Sequence, residues 1–177
     1  MFVELARQRR SVRKYLPEPV PPEQVELLVE AALRAPASRG LPPWHFVVVT
    51  DPAALADLSR AKPHGASFLR DAPLGLVVCA DPAKGDMWVE DAAIATTFVH
   101  LAAASLGLGS CWIQIRGRDR EPGRTASAYV AERLGLPPGM EVEAIVAVGR
   151  PADRPPPHPR EALPSDRVSY ERFGRGA

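Results

Sequence analysis

The chain is predicted to fold as one α+β sandwich built around a single mixed sheet, and three observations predict it. A length of 177 residues with 46% hydrophobic residues can bury one substantial core and is short for two domains. Helical and extended segments interleave over roughly the first 150 positions with no internal repeat. One extended segment, Leu74–Ala80, is a continuous apolar run, the pattern of a central strand covered on both faces.

The elements follow in order. A short helix is expected over Phe2–Gln8, with the basic run Arg9-Arg10-Ser11-Val12-Arg13-Lys14 at its end. Pro21-Pro22 opens a second helix, because proline is tolerated in a first turn where its missing N–H has no partner. Val25, Leu28, Val29, Ala32 and Leu33 share one face of it, and Pro36 stops it. After a loop over 37–43, Trp44–Val49 reads as a strand from its β-branched and aromatic content. Asp51-Pro52 caps and starts a third helix through Leu58. Residues 92–115 contain no Asp, Glu, Lys or Arg, a length that would span a bilayer. Thr96, Thr97, His100, Ser105, Ser110 and Gln114 punctuate this stretch and Gly107 and Gly109 break it, so it reads as a buried helix beginning near Asp91 and a buried strand over 110–115. A polar loop over 116–124, a helix through Tyr129 and Leu134, and a fourth strand over 142–148 complete the domain. From 151 onward proline and arginine dominate and no amphipathic pattern returns until 168–173, so this tail must lie on another surface, most economically a partner subunit.

Composition excludes several classes of function. A formal net charge of +1 provides no general footprint for nucleic acid or an anionic membrane. The first residues, with Glu4 among them, do not form a signal peptide, and a cytoplasmic location is expected. Cys79 and Cys111 sit in apolar segments and are expected as free thiols, a buried bridge being the alternative. His45, His64, His100 and His158 show no paired ligand spacing, so no metal is expected. His100 reads as a hydrogen-bonded core residue, and Glu90 and Asp91 as helix-capping carboxylates. Gly107-Leu108-Gly109 lacks the third glycine and the preceding strand of a dinucleotide fingerprint.

The residues that could carry chemistry each keep two readings at this stage. Arg9, Arg10, Ser11 and Arg13 suit a phosphate monoester, or form a solvated helix end. His158 and Arg160 offer a second jaw for the same anion, or belong to a solvated tail. The loop with Pro36, Ala37, Ser38 and Gly40 is stiff enough to present backbone groups to a flat ligand, or simply joins a helix to a strand. Gln114, polar at the end of an apolar strand, finds a core partner or faces a ligand.

Taken in order, the segments Arg9-Arg10-Ser11-Val12-Arg13-Lys14-Tyr15, Ala35-Pro36 through Pro43-Trp44-His45-Phe46, Asp71-Ala72-Pro73, the helix from Asp91, Leu106-Gly107-Leu108-Gly109-Ser110-Cys111-Trp112-Ile113, Ala147-Val148-Gly149-Arg150-Pro151 and Val168-Ser169-Tyr170-Glu171-Arg172-Phe173-Gly174 resemble the FMN-dependent nitroreductase family over nearly the whole chain. The resemblance implies a mostly antiparallel sheet, FMN held at a homodimer interface, NADH or NADPH as electron donor, and small acceptors such as nitroaromatics and quinones reduced by ping-pong hydride transfer. It implies that Arg9, Arg10, Ser11 and Arg13, joined by His158 and Arg160, grip the FMN phosphate and ribityl chain. Pro36, Ala37, Ser38 and Gly40 would reach the flavin from the other subunit, while Trp112, Ile113, Gln114 and Ile115 run beside the ring. Catalysis would be flavin-centred, with no side-chain acid or base. The sequence departs from the common pattern at Gly40 and Pro42, where many members carry Asn and Gln, and at Gln114, a position often held by Glu or Gly. Related alternatives are other FMN chemistry on the same fold, such as dehalogenation or ring oxidation, and a non-catalytic flavin-binding module. A flavin-free anion-binding interaction protein is a third.

Overall fold

The computed structural model describes residues 1–175. Four strands, β1 (Trp44–Val49), β2 (Leu74–Ala80), β3 (Gly109–Gln114) and β6 (Glu141–Gly149), form the main sheet in the order β1-β2-β6-β3. All three pairings are antiparallel. The parallel contribution to the sheet is a single bridge between Ser11 and Ser110. Every residue of β2 is buried, as its unbroken apolar run requires of a strand covered on both faces.

Helices α2 (Pro22–Leu33) and α4 (Trp88–Ser105) cover one face, burying Leu28, Ala32, Ala92, Val99 and Ala103 against Leu74, Leu76, Val78, Val146 and Val148. The other face is covered by α3 (Pro52–Leu58), α5 (Ala126–Leu134) and the segment around Val12 and Tyr15, which pack on Val77, Cys79, Ile113 and Ile145. The first helix, α1 (Phe2–Gln8), buries none of its residues.

α4 starts at Trp88, one turn before the Asp91 expected from the sequence, because the half-buried Trp88 and Val89 already face the core. The polar loop after β3 contains a two-stranded ribbon, β4 (Asp119–Glu121) and β5 (Arg124–Thr125), and the Arg120 guanidinium lies 3.9 Å from the centre of the buried Tyr129 ring. Two glycines let the N-terminal segment dock on the sheet. A Cβ on Gly109 would stand 2.8 Å from Val12 Cβ, and one on Gly149 would stand 3.0 Å from Tyr15 Cδ1. From 158 to 175 every residue is exposed, including Leu163, Val168, Tyr170 and Phe173. Cys79 and Cys111 are free and buried. Among the described residues no helix is long and apolar enough to cross a membrane.

Candidate functional site

The basic run leaves α1 and crosses the C-terminal end of α4 as an extended segment. The Val12 N–H donates to Ser110 O at 3.0 Å, so the run is stitched to the outer edge of β3. Alternation along the strand then sets what β3 presents. Ile115 N–H donates inward to Glu143 O at 3.1 Å, whereas the main-chain groups of Ser110, Trp112 and Gln114 turn the opposite way. The basic segment covers those of Ser110. Those of Trp112 and Gln114 stand at the open edge of the sheet.

A cleft of about 330 Å³ lies at the Gly109–Ser110 end of this strand, lined by Arg9, Arg10, Gly107 and Ser110 on one side and by Arg154 and the prolines 155–157 on the other. Arg10 donates to Pro156 O, and Arg154 donates to Gly107 O at 3.4 Å, so the tail forms a second wall. Arg154 supplies that wall's guanidinium, while His158 and Arg160 are exposed and line no part of the cleft within the protomer. Further along, Arg13 lies over the Phe68 ring at 5.8 Å. Lys62 is half-buried, and burial together with the neighbouring Arg118 lowers its pKa. Arg9, Arg10, Arg13, Lys62 and Arg118 enter no ion pair among the described residues. Cations gathered without carboxylates are suited to an anionic ligand. Lys62, Arg118 and Arg154 escaped sequence reasoning because each stands alone in its own segment and only the fold brings it to the others.

The side chains of β3 divide by face. Ile113 and Ile115 are fully buried in the core, so only their backbone is available to a ligand. Ser110 and Trp112 face α4, where His100 Nδ1 lies 2.7 Å from Ser110 Oγ and the His100 ring stacks on Trp112 at an interplanar angle of 5°. Burial, reinforced by Arg9, pushes the His100 pKa down to about 4, leaving the ring neutral at pH 7. Gln114 finds protein partners: its Oε1 accepts from Trp112 Nε1 at 2.8 Å, and its Nε2 donates to Arg116 O at 3.0 Å and to Glu143 Oε1 at 3.3 Å. Burial raises both thiols, that of Cys79 to about 11, which leaves no thiolate nucleophile here.

The loop with Pro36, Ala37, Ser38 and Gly40 sits at the opposite end of α4. Asp91 is acidic in the first turn of α4, but its Oδ1 accepts the Ser38 N–H at 2.9 Å, so it fastens this loop instead of capping its own helix. Arg39 and Gly40 both adopt left-handed conformations, with φ of 55° and 68°, an arrangement that strains Arg39 and turns the chain sharply. Asp91 and Ala104, which marks the cleft, are separated by ~20 Å along the helix axis. One protomer therefore does not bring the loop and the arginine cluster together.

The residues present fit FMN: unpaired cations for a phosphate and a strand edge with free main-chain groups for a flat heterocycle. Comparison with known proteins points the same way. The nitroreductase family profile matches residues 6–150. An FMN-dependent nitroreductase from Clostridium difficile R20291 superposes with a TM-score of 0.95 at 38% identity, covering 97% of this chain and 99% of its own. An NADH dehydrogenase of Thermus thermophilus is 31% identical over 204 residues, 94% of this chain and 91% of that protein. The NADPH:FMN oxidoreductase of Vibrio harveyi, solved with NAD+, superposes with a TM-score of 0.81 at 26% identity, covering 97% of this chain and 77% of its own.

Proposed function

The chain belongs to the nitroreductase family, and from that membership we propose that it is an FMN-dependent NAD(P)H oxidoreductase, working as a homodimer on small acceptors such as nitroaromatics and quinones. The observation that carries the reading is the open edge of β3 continuing from a cleft lined by Arg9, Arg10 and Arg154. When bound, FMN would supply the hydride chemistry that links NADH or NADPH to the acceptor.

The chain's own residues bind, orient and insulate. Arg9, Arg10 and Ser11 hold the phosphate, with Arg10 braced by Pro156 O. Arg13 lies next along the run, and the main-chain groups of Trp112 and Gln114 would be free to meet the ring. The positive charge of Arg13, Lys62 and Arg118 stabilises negative charge arising nearby on reduction. His158 and Arg160, exposed in their own protomer, are available to the partner's site, as is the loop of Pro36, Ala37, Ser38 and Gly40. The neutral His100 and the protonated thiols provide no general acid or base, so no proton-transfer side chain is assigned.

One binding space that serves donor and acceptor in turn gives ping-pong kinetics. Double-reciprocal plots of rate against NADPH at several concentrations of a quinone should be parallel. Intersecting lines would contradict sequential use of one space.

A further inference from the structure

Glu143 is a carboxylate only 3% exposed on the central strand β6, and no step of the proposed reaction uses it. Its position is irregular. Along β6, Ala144 pairs with Val78 and Val142 with Cys79, so Glu143 is an extra residue in a bulge. Across the other edge, both Ile115 and Arg116 donate their N–H groups to its carbonyl oxygen, each at 3.1 Å. A bulge re-aims one side chain against the alternation of its strand, and bulges recur beside active sites for that reason. Here it turns the Glu143 carboxylate toward Gln114 and Arg116, whose Nε lies 2.7 Å from Oε2. Arg116 in turn lies 5.9 Å over the Trp88 ring, in the same first turn of α4 whose Asp91 fastens the loop at Ser38.

We propose that Glu143 is a positioning residue for the flavin edge: it fixes the Gln114 amide so that the side chain serves the protein and only the backbone of Trp112 and Gln114 serves the ligand. This rests on the cofactor reading above. An ionised carboxylate only accepts hydrogen bonds, so it admits one orientation of the facing amide, with Nε2 toward it. The Gln114 Oε1 is then committed to the Trp112 indole, which is held flat against His100. The indole and the amide brace the side-chain face of the two residues whose main-chain groups form the open edge. A Glu143→Gln substitution removes that constraint. The new amide can donate to Gln114 Oε1 and so competes with the Trp112 indole for that oxygen, against the Arg116 carbonyl that also holds Gln114 Nε2.

The test reads the indole directly. In the full-length protein, the Trp112 indole N–H resonance, assigned by its loss in Trp112→Phe, should exchange with solvent at least about ten-fold faster in Glu143→Gln, as expected for one lost hydrogen bond. FMN affinity, followed by quenching of flavin fluorescence, should weaken by about the same factor, and the flavin midpoint potential should shift. A variant destabilised without this role would lose melting temperature and leave indole exchange, relative to other core amides, unchanged, which would overturn the proposal. Wild-type protein that binds no FMN would overturn the cofactor reading and, with it, the flavin part of this one, while the indole exchange still decides whether Glu143 fixes Gln114.

Discussion

Arg10 reaches across the cleft to a carbonyl of the proline-rich tail and enters no ion pair among the described residues, so its charge remains available to a ligand. Arg10→Ala should weaken FMN binding by about ten- to a hundred-fold, the worth of a charge-assisted hydrogen bond, with little change in melting temperature. Equilibrium dialysis and a thermal melt of the apoprotein check the two halves separately. His100 makes the opposite kind of contribution. Its pKa is about 4 in the folded chain against an ordinary 6.5, so between those values the unfolded chain binds the extra proton. Stability present in full above about pH 6.5 should therefore fall as the pH drops toward 4, by on the order of 3 kcal/mol. Urea midpoints at pH 7 and pH 4.5 should differ less in His100→Gln than in the wild type, and an equal loss in both would contradict the assignment. The arginine run and His100 were legible in the sequence because a local cluster and a lone polar residue on an apolar helix are one-dimensional signals. Lys62, Arg118 and the Glu143 bulge were not, since each acquires meaning only from a neighbour distant along the chain. Asp91 misled for the same reason: its place in a helix first turn is visible in sequence, whereas its partner, the Ser38 N–H, is not.

The strands and helices that place the site were readable from simple patterns. β2 declared its central position by an unbroken apolar run, and α2 its start by Pro21-Pro22. The ribbon of β4 and β5 was hidden because strands of three and two residues are too short to show alternation, and their arginines read as a solvated loop. The parallel bridge at Ser11 and Ser110 was hidden because a single pairing leaves no pattern. That bridge depends on close approach of two segments, and Gly109 permits it. Gly109→Ala places a methyl group 2.8 Å from the Val12 side chain. The basic segment must then move off β3, at a cost of about 1–3 kcal/mol. Chemical denaturation should show that loss together with weaker FMN binding. A Gly109→Ala protein with wild-type stability would mean that the segment is not seated as described.

At the scale of the whole molecule, the protomer is a finished sandwich carrying an unfinished surface. Residues 158–175 are exposed throughout and display four large apolar side chains, while the arginine cluster and the Ser38 loop lie at opposite ends of α4. In the proposed homodimer, a second copy that buries the tail would also bring the two clusters to one ligand. Removing residues 158–177 should leave the far-ultraviolet circular dichroism unchanged, shift the protein to monomer by light scattering and abolish FMN retention. A truncated dimer that retains flavin would contradict the shared site. The most direct test of the central claim is a visible spectrum of the full-length protein after FMN is added and excess removed, followed by NADPH and then NADH without oxygen. A retained flavin spectrum that bleaches with either nucleotide is the predicted result, and a colourless protein, or a bound flavin that neither nucleotide reduces, would contradict it.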